Sequence, residues 1–182
     1  MIDEQTPDAL EREVLTWQGF GDAARQLAQE IYDSGWIPDL VVAIARGGLL
    51  PAGAISYALG VKAIGTMNVE FYTDIAETLE APVLIPPLMD TSVLEGKKVL
   101  VVDDVADSGK TLRLVMDMIR EMGIPQPDGG MSVRVAEARC VTIFHKSRSV
   151  IEPDYVWKRT DKWINFPWST LPPVSNPNIS GA

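Results

Sequence analysis

The chain has 182 residues, 46% of them apolar, which is enough for one domain with a sizeable core. With 16 basic residues against 25 acidic ones, its net charge of -9 argues against a broad basic surface for nucleic acid, though a few local cations and N–H groups can still hold a small anion. Cys140 is the single cysteine, so no intrachain disulfide forms; no apolar run reaches the roughly 18 residues of a membrane span, and the acidic N-terminus lacks a signal peptide's apolar stretch. A cytoplasmic protein without membrane or nucleic-acid partners is expected.

Residues 1–13 read as a polar lead, frayed or briefly helical. Helical spacing of Ala24, Leu27, Ala28 and Ile31 predicts a helix over 21–34, with Asp22 in its first turn and Gly35 stopping it. The β-branched apolar run at 40–44 predicts a buried strand, and Ala45-Arg46-Gly47-Gly48 a tight loop after it. A helix over 51–59 ends at Gly60, and 61–71 holds one or two strands. Residues 73–95 contain Pro82, Pro86 and Pro87 and no clear period, the mark of a mobile lid or binding loop. A buried strand follows at 98–102, then a helix at 111–122 with Leu112, Val115, Met116 and Ile119 on one face. Gly123, Pro125 and Pro127 end that helix, and Gly129-Gly130 open a polar excursion to Glu137. Strands at 140–144 and 155–158 precede a tail bearing Pro167, Pro172, Pro173 and Pro177. Strands alternating with helices predict an α/β fold, a mostly parallel central sheet flanked by helices. Ligands of such sheets sit beyond the carboxyl ends of the strands, where Arg46, Asp103, Asp104, Asp107 and Lys146 would gather.

The most informative stretch is Val101-Val102-Asp103-Asp104-Val105-Ala106-Asp107-Ser108-Gly109-Lys110-Thr111. A strand runs into two carboxylates, then a small-residue turn, then a helix. Hydroxyls, backbone N–H groups and a helix N-terminus in that turn make a cradle for one phosphate. The carboxylates suit sugar hydroxyls and a divalent cation instead. Phosphate, sugar and metal determinants this close together point to a phosphorylated sugar. A nucleotide-triphosphate P-loop would need Gly where Asp104 stands. A receiver domain would carry its acids after an early strand, and helix capping alone needs fewer acids.

This stretch resembles the phosphoribosyl-pyrophosphate (PRPP) signature of the type I phosphoribosyltransferases. Ile44-Ala45-Arg46-Gly47-Gly48-Leu49-Leu50-Pro51-Ala52-Gly53 is similar to the pyrophosphate loop of the purine members. Phe144-His145-Lys146, with Trp163-Ile164-Asn165-Phe166-Pro167-Trp168, resembles the base-binding part of xanthine-guanine phosphoribosyltransferases. The likeness runs from about Leu15 to the end. It implies one domain over 1–182, with a flexible hood loop at 73–95 and a small base-binding segment and tail at 153–182. It also implies a purine displacing pyrophosphate from carbon 1 of the ribose, a homodimer or homotetramer, and Mg²⁺ as cofactor. By the same likeness, Asp103 and Asp104 hold the ribose hydroxyls, directly or through Mg²⁺, and Ser108, Gly109, Lys110 and Thr111 bind the 5-phosphate. Asp107 is the catalytic acid–base group at N7 of the base. Arg46 and Gly47 bind pyrophosphate, Lys146 donates to O6, Trp163 stacks on the purine, and the Ile164 carbonyl accepts from a 2-amino group. His145 is read as structural, on the opposite side from Lys146. Cys140 is read as buried, and Met67, Met116, Met118 and Met122 as packing.

Three departures stand out. A Ser-Tyr pair is common in the hood of this family, and here the place reads Glu70-Phe71-Tyr72-Thr73. Residues 74–94 contain no Lys or Arg at all, and the excursion at 125–138 is long for the family. Two other readings therefore stand beside the enzyme: a PRPP- or nucleotide-binding regulator of the same fold, and a phosphoribosyltransferase for another base.

Overall fold

Two apolar clusters back the central sheet, one on each face. The computed structural model describes residues 11–70, 73–74, 77–78, 83–88, 95–122, 132–172 and 174. In chain order the elements are β1 (Arg12–Val14), α1 (Trp17–Asp33), β2 (Leu40–Ala45), α2 (Leu49–Leu59), β3 (Ile64–Glu70), β4 (Thr73–Asp74), β5 (Glu77–Thr78), β6 (Val83–Leu88), β7 (Lys98–Ala106), α3 (Lys110–Asp117), a π-helical turn (Met118–Met122), β8 (Glu137–His145), β9 (Tyr155–Arg159) and β10 (Trp163–Asn165). The main sheet has the order β6-β3-β2-β7-β8-β9. Every neighbouring pair is parallel except β6 with β3. Val41, Ala43, Leu100 and Val102 pack under α1 and α2, and Val42, Ile44, Val99 and Val101 pack under α3. Burial on both faces explains why these strands read as unbroken apolar runs.

From β2 the chain crosses to β3 on one side and later to β7 on the other, so the strand order reverses between β2 and β7. The ladder joining them pairs Leu40 with Val99 through Ala43 with Val102. Past that rung the two strand ends carry Arg46-Gly47 and Asp103-Asp104, at the switch point where open α/β sheets bind ligands.

Several sequence expectations are corrected. The helix expected from 21 begins at Trp17, because the Thr16 hydroxyl accepts from the Gly19 amide at 3.0 Å. Asp22 does not cap it and instead accepts from the Gln18 side chain. The lead is neither frayed nor helical at residues 12–14, which form β1 parallel to β10. That partner lies some 150 positions away, so no local period announces it, and β10 itself sits in what read as an aperiodic tail. The strand expected to stop at Val102 continues to Ala106, because β8 pairs with it along its whole length. The two acids therefore sit within β7 and not after it. Residues 73–95, read as one long loop, contain the β4–β5 pair and the edge strand β6. Pro86 and Pro87 are tolerated there because an edge strand needs fewer main-chain donors. The helix expected over 111–122 turns π-helical from Met118. The Ser-Tyr position at Tyr72 and residues 125–131 of the 125–138 excursion lie outside the described residues.

Candidate active site

Gly48 lets the loop after β2 pass close to β7. A Cβ built on it would stand 2.7 Å from the Ile44 carbonyl oxygen and closer still to that of Val102. Its neighbour Gly47 lies directly against the Asp104 carboxylate: a Cβ there would be 2.6 Å from Oδ1 and nearer to Oδ2. The missing side chain thus brings the Arg46-Gly47 loop and the acidic strand together. A cis peptide bond joins Ala45 to Arg46. Arg46, Gly47 and Asp104 line a cleft of about 870 Å³ together with Phe166, Trp168, Ser169, Leu171 and Pro172. Phe166 and Trp168 stack at 4.9 Å between ring centroids, and Phe166 continues into the core against Phe144.

Asp103 and Asp104 are a carboxylate pair short of counter-charge. The Asp104 amide donates to Asp103 Oδ1 at 2.9 Å, and no Lys or Arg pairs with either acid among the described residues. Burial pushes the Asp103 carboxyl well above its ordinary value, and the neighbouring Asp104 charge adds to this. Burial likewise pushes Asp104 up to about 6. An unfolded Asp titrates near 3.8, so the folded state binds the proton more tightly and stability falls as pH rises from about 4 to about 6. Asp104→Asn removes that cost. Its Tm without ligand is expected to exceed wild type by roughly 5 °C at pH 8 and to converge with it near pH 4. Thermal melts at both pH values check this; equal Tm values at pH 8 would show that the carboxylate is better solvated than its surroundings indicate.

The small-residue turn after β7 leads directly into a helix. Gly109 adopts φ 72° and caps α3, which starts at Lys110. A Cβ on Gly109 would run into the Ser149 hydroxyl, so this glycine also admits the loop after β8. The Ser108 carbonyl accepts from the Val150 amide at 3.0 Å, and the Ala106 carbonyl from the Lys146 amide at 3.1 Å. The amides of Lys110 and Thr111 belong to the first turn of α3, where N–H groups lack partners within the helix.

Asp107 stands between these two loops. Lys146 is buried, with Nζ 3.6 Å from Asp107 Oδ1. Arg148, which the sequence reading passed over, donates Nε to Asp107 Oδ1 at 2.9 Å and one terminal nitrogen to Oδ1 and Oδ2 at 2.5 and 2.6 Å. Partial burial alone would raise the Asp107 carboxyl; the hydrogen bonds from Arg148 and the charges of Lys146 and Arg148 outweigh it and hold the group below its usual range. The only hint in the sequence was a cation two residues beyond Lys146.

His145 is buried, with Nδ1 2.9 Å from an Arg159 nitrogen and Nε2 3.5 Å from Glu152. Cys140 is buried too, and burial pushes its thiol up to about 12, so it is inert as a nucleophile. Ser147 donates both its amide and its hydroxyl to Asp161 at 2.9 Å, which ties the Lys146 loop to the segment leading into β10. On that strand Trp163 is 60% exposed and Ile164 is half-buried. The aromatic residues that line the cleft with Arg46 and Asp104 are Phe166 and Trp168, further along the same segment.

The chain and its fold have parallels among known proteins. The chain is 27% identical over 172 residues to a xanthine-guanine phosphoribosyltransferase from Gluconobacter oxydans, covering 94% of this chain and 93% of that one. A crystal structure of a purine phosphoribosyltransferase from Pyrococcus horikoshii superposes with a TM-score of 0.72 at 33% identity, covering 91% of this chain and 99% of that one. A Helicobacter pylori xanthine-guanine-hypoxanthine phosphoribosyltransferase shares the fold at 21% identity, with a TM-score of 0.68 over 88% of this chain and 95% of that one. The phosphoribosyl transferase domain model matches residues 12–172, from β1 to the far wall of the cleft, and the chain belongs to that family of enzymes.

Proposed function

We propose that the protein transfers the 5-phosphoribosyl group of PRPP to N9 of a 6-oxopurine (guanine, xanthine or hypoxanthine), releasing pyrophosphate and a nucleoside monophosphate. The observation that carries this reading is the 3.6 Å approach of Lys146 Nζ to Asp107 Oδ1. A cationic donor beside a carboxylate acceptor complements the O6 acceptor and the N7–H donor that a 6-oxopurine presents on one edge. Adenine would set its amino donor against the lysine and leave the buried ammonium unpaired.

In this reading the amides from Ser108 to Thr111, with the Ser108 and Thr111 hydroxyls, hold the 5-phosphate. Arg46 and the Gly47 backbone take the pyrophosphate, the guanidinium presenting its planar fork of donors. Asp103 and Asp104 take the ribose hydroxyls. Trp163 stacks on the purine, and the Ile164 carbonyl receives a 2-amino group. As the N9–C1 bond forms, the bond from C1 to pyrophosphate breaks and its electron pair leaves with pyrophosphate. Positive charge then grows on the base. Asp107, kept ionised by Lys146 and Arg148, accepts the N7–H hydrogen bond, stabilises that charge and takes the N7 proton as the N9–C1 bond forms, leaving the base of the nucleoside monophosphate neutral. The adjacent half-buried carboxylates, with no side-chain cation paired to them among the described residues, also fit Mg²⁺, which prefers oxygen ligands. When bound, Mg²⁺ neutralises charge on the pyrophosphate.

The reading includes a homo-oligomer in the cytoplasm. The homo-oligomer is supported by α2, where Leu49, Leu50 and Tyr57 are exposed. The deciding assay follows pyrophosphate release from PRPP and Mg²⁺ with guanine, xanthine, hypoxanthine and adenine offered separately. Release with a 6-oxopurine and none with adenine is expected. Silence with all four, in a folded sample that still binds PRPP, would favour the regulator or another acceptor base.

A further inference from the structure

Resting on the role given to Asp107 above, we propose that Arg148 is a positioning residue for that carboxylate. The backbone sets up the pair. Two main-chain bonds, from the Lys146 amide to the Ala106 carbonyl and from the Val150 amide to the Ser108 carbonyl, clamp the loop after β8 onto the loop after β7. Asp107 is the middle residue of 106–108 and Arg148 the middle residue of 146–150. The clamp is tightened where the Ser149 hydroxyl occupies the space left by the missing Cβ of Gly109. Asp107 and Arg148 are therefore held opposite each other by the same bonds that join the phosphate loop to the lysine loop.

The contacts fix the carboxylate in more than one direction. Nε and a terminal nitrogen of Arg148 both reach Oδ1, and that terminal nitrogen also bridges to Oδ2. An ionised carboxylate offers about four lone-pair sites. Arg148 uses two on Oδ1 and one on Oδ2, which leaves Oδ2 the oxygen with room for a further donor such as the N7–H of a purine. Lys146 stands at 3.6 Å, too far to orient the group by hydrogen bonding. The charged groups facing Asp107 are Lys146 and Arg148; Asp161, close to both cations, is held by Ser147. The Arg148 side chain is 65% exposed, so its removal leaves no cavity and little change in stability is expected.

The test compares wild type with Arg148→Ala and Arg148→Lys by pyrophosphate release across pH. The Asp107 carboxyl is titrated in parallel by ¹³C NMR, with Asp107→Asn assigning its signal. For Arg148→Ala, kcat should fall by about ten- to a hundredfold, as expected when a reacting group loses its orientation. The acid limb of the profile and the Asp107 titration should both move to higher pH. The KM for PRPP and the Tm should stay at wild-type values. Arg148→Lys, which restores charge without the fork, should fall between the two. An unmoved Asp107 titration overturns the proposal, and so does wild-type turnover with an unmoved acid limb. A wild type that turns over no base removes the role given to Asp107, and this inference falls with it. That failure is distinct, because it is seen before any variant is made.

Discussion

Asp107→Asn is expected to lower kcat by about 10²–10⁴-fold, the usual contribution of a positioned acid–base group. The substitution keeps the size of the side chain but replaces an ionised acceptor with a neutral amide. Arg148 and Lys146 would then face a group with half the acceptor capacity, and the N7–H would meet an amide whose oxygen is already taken. PRPP binding should survive, because the amides from Ser108 to Thr111 are main-chain groups on a turn held by Val150 and Gly109. Pyrophosphate release under saturating PRPP, with nucleotide binding measured separately, separates the two effects. A loss of less than tenfold would remove Asp107 from the reaction.

Gly47→Ala is expected to cost about 10²-fold in kcat/KM, the scale associated with displacing a reacting group by about 1 Å. Its Cβ would overlap the Asp104 carboxylate, and the carboxylate must turn or the loop must lift. Either movement separates Arg46 from the acid pair. Gly48→Ala differs in kind, because its Cβ meets the backbone carbonyls of Val102 and Ile44, which cannot turn aside. Gly47→Ala should therefore give folded protein of low activity, and Gly48→Ala little folded protein. A double-mutant cycle with Asp104→Ala checks the mechanism: the Gly47 loss should largely vanish once the carboxylate is gone. Fully additive losses would mean that Gly47 acts through something other than Asp104.

Much of the site was legible along the chain because its parts are local. From Asp103 to Thr111, acids, turn and helix start follow one another in consecutive residues. The Arg46-Gly47-Gly48 loop is equally local, and so is the placement of Lys146 at the end of a strand. Long, strongly apolar strands and the periodic helices were legible for the same reason: burial on both faces of a sheet, or on one face of a helix, imposes a pattern on neighbouring residues.

What stayed hidden was non-local. β1 exists because β10 lies beside it, and β7 continues past its two acids because β8 pairs with it at Asp103 and again at Val105 and Ala106. The acids' raised proton affinity is a property of burial, and no residue type announces it. That Phe166 and Trp168, from the same segment as Trp163, line the cleft with Arg46 and Asp104 is likewise settled by packing. Arg148 reads as an ordinary surface cation until two loops are clamped together and its guanidinium is turned onto Asp107. Residue type and order along the chain specified the chemical groups and the sheet-and-helix class, since these depend on neighbours in sequence. Only packing chose which groups meet, because a contact across about 40 residues, such as that of Arg148 with Asp107, depends on loops brought together by a shared sheet.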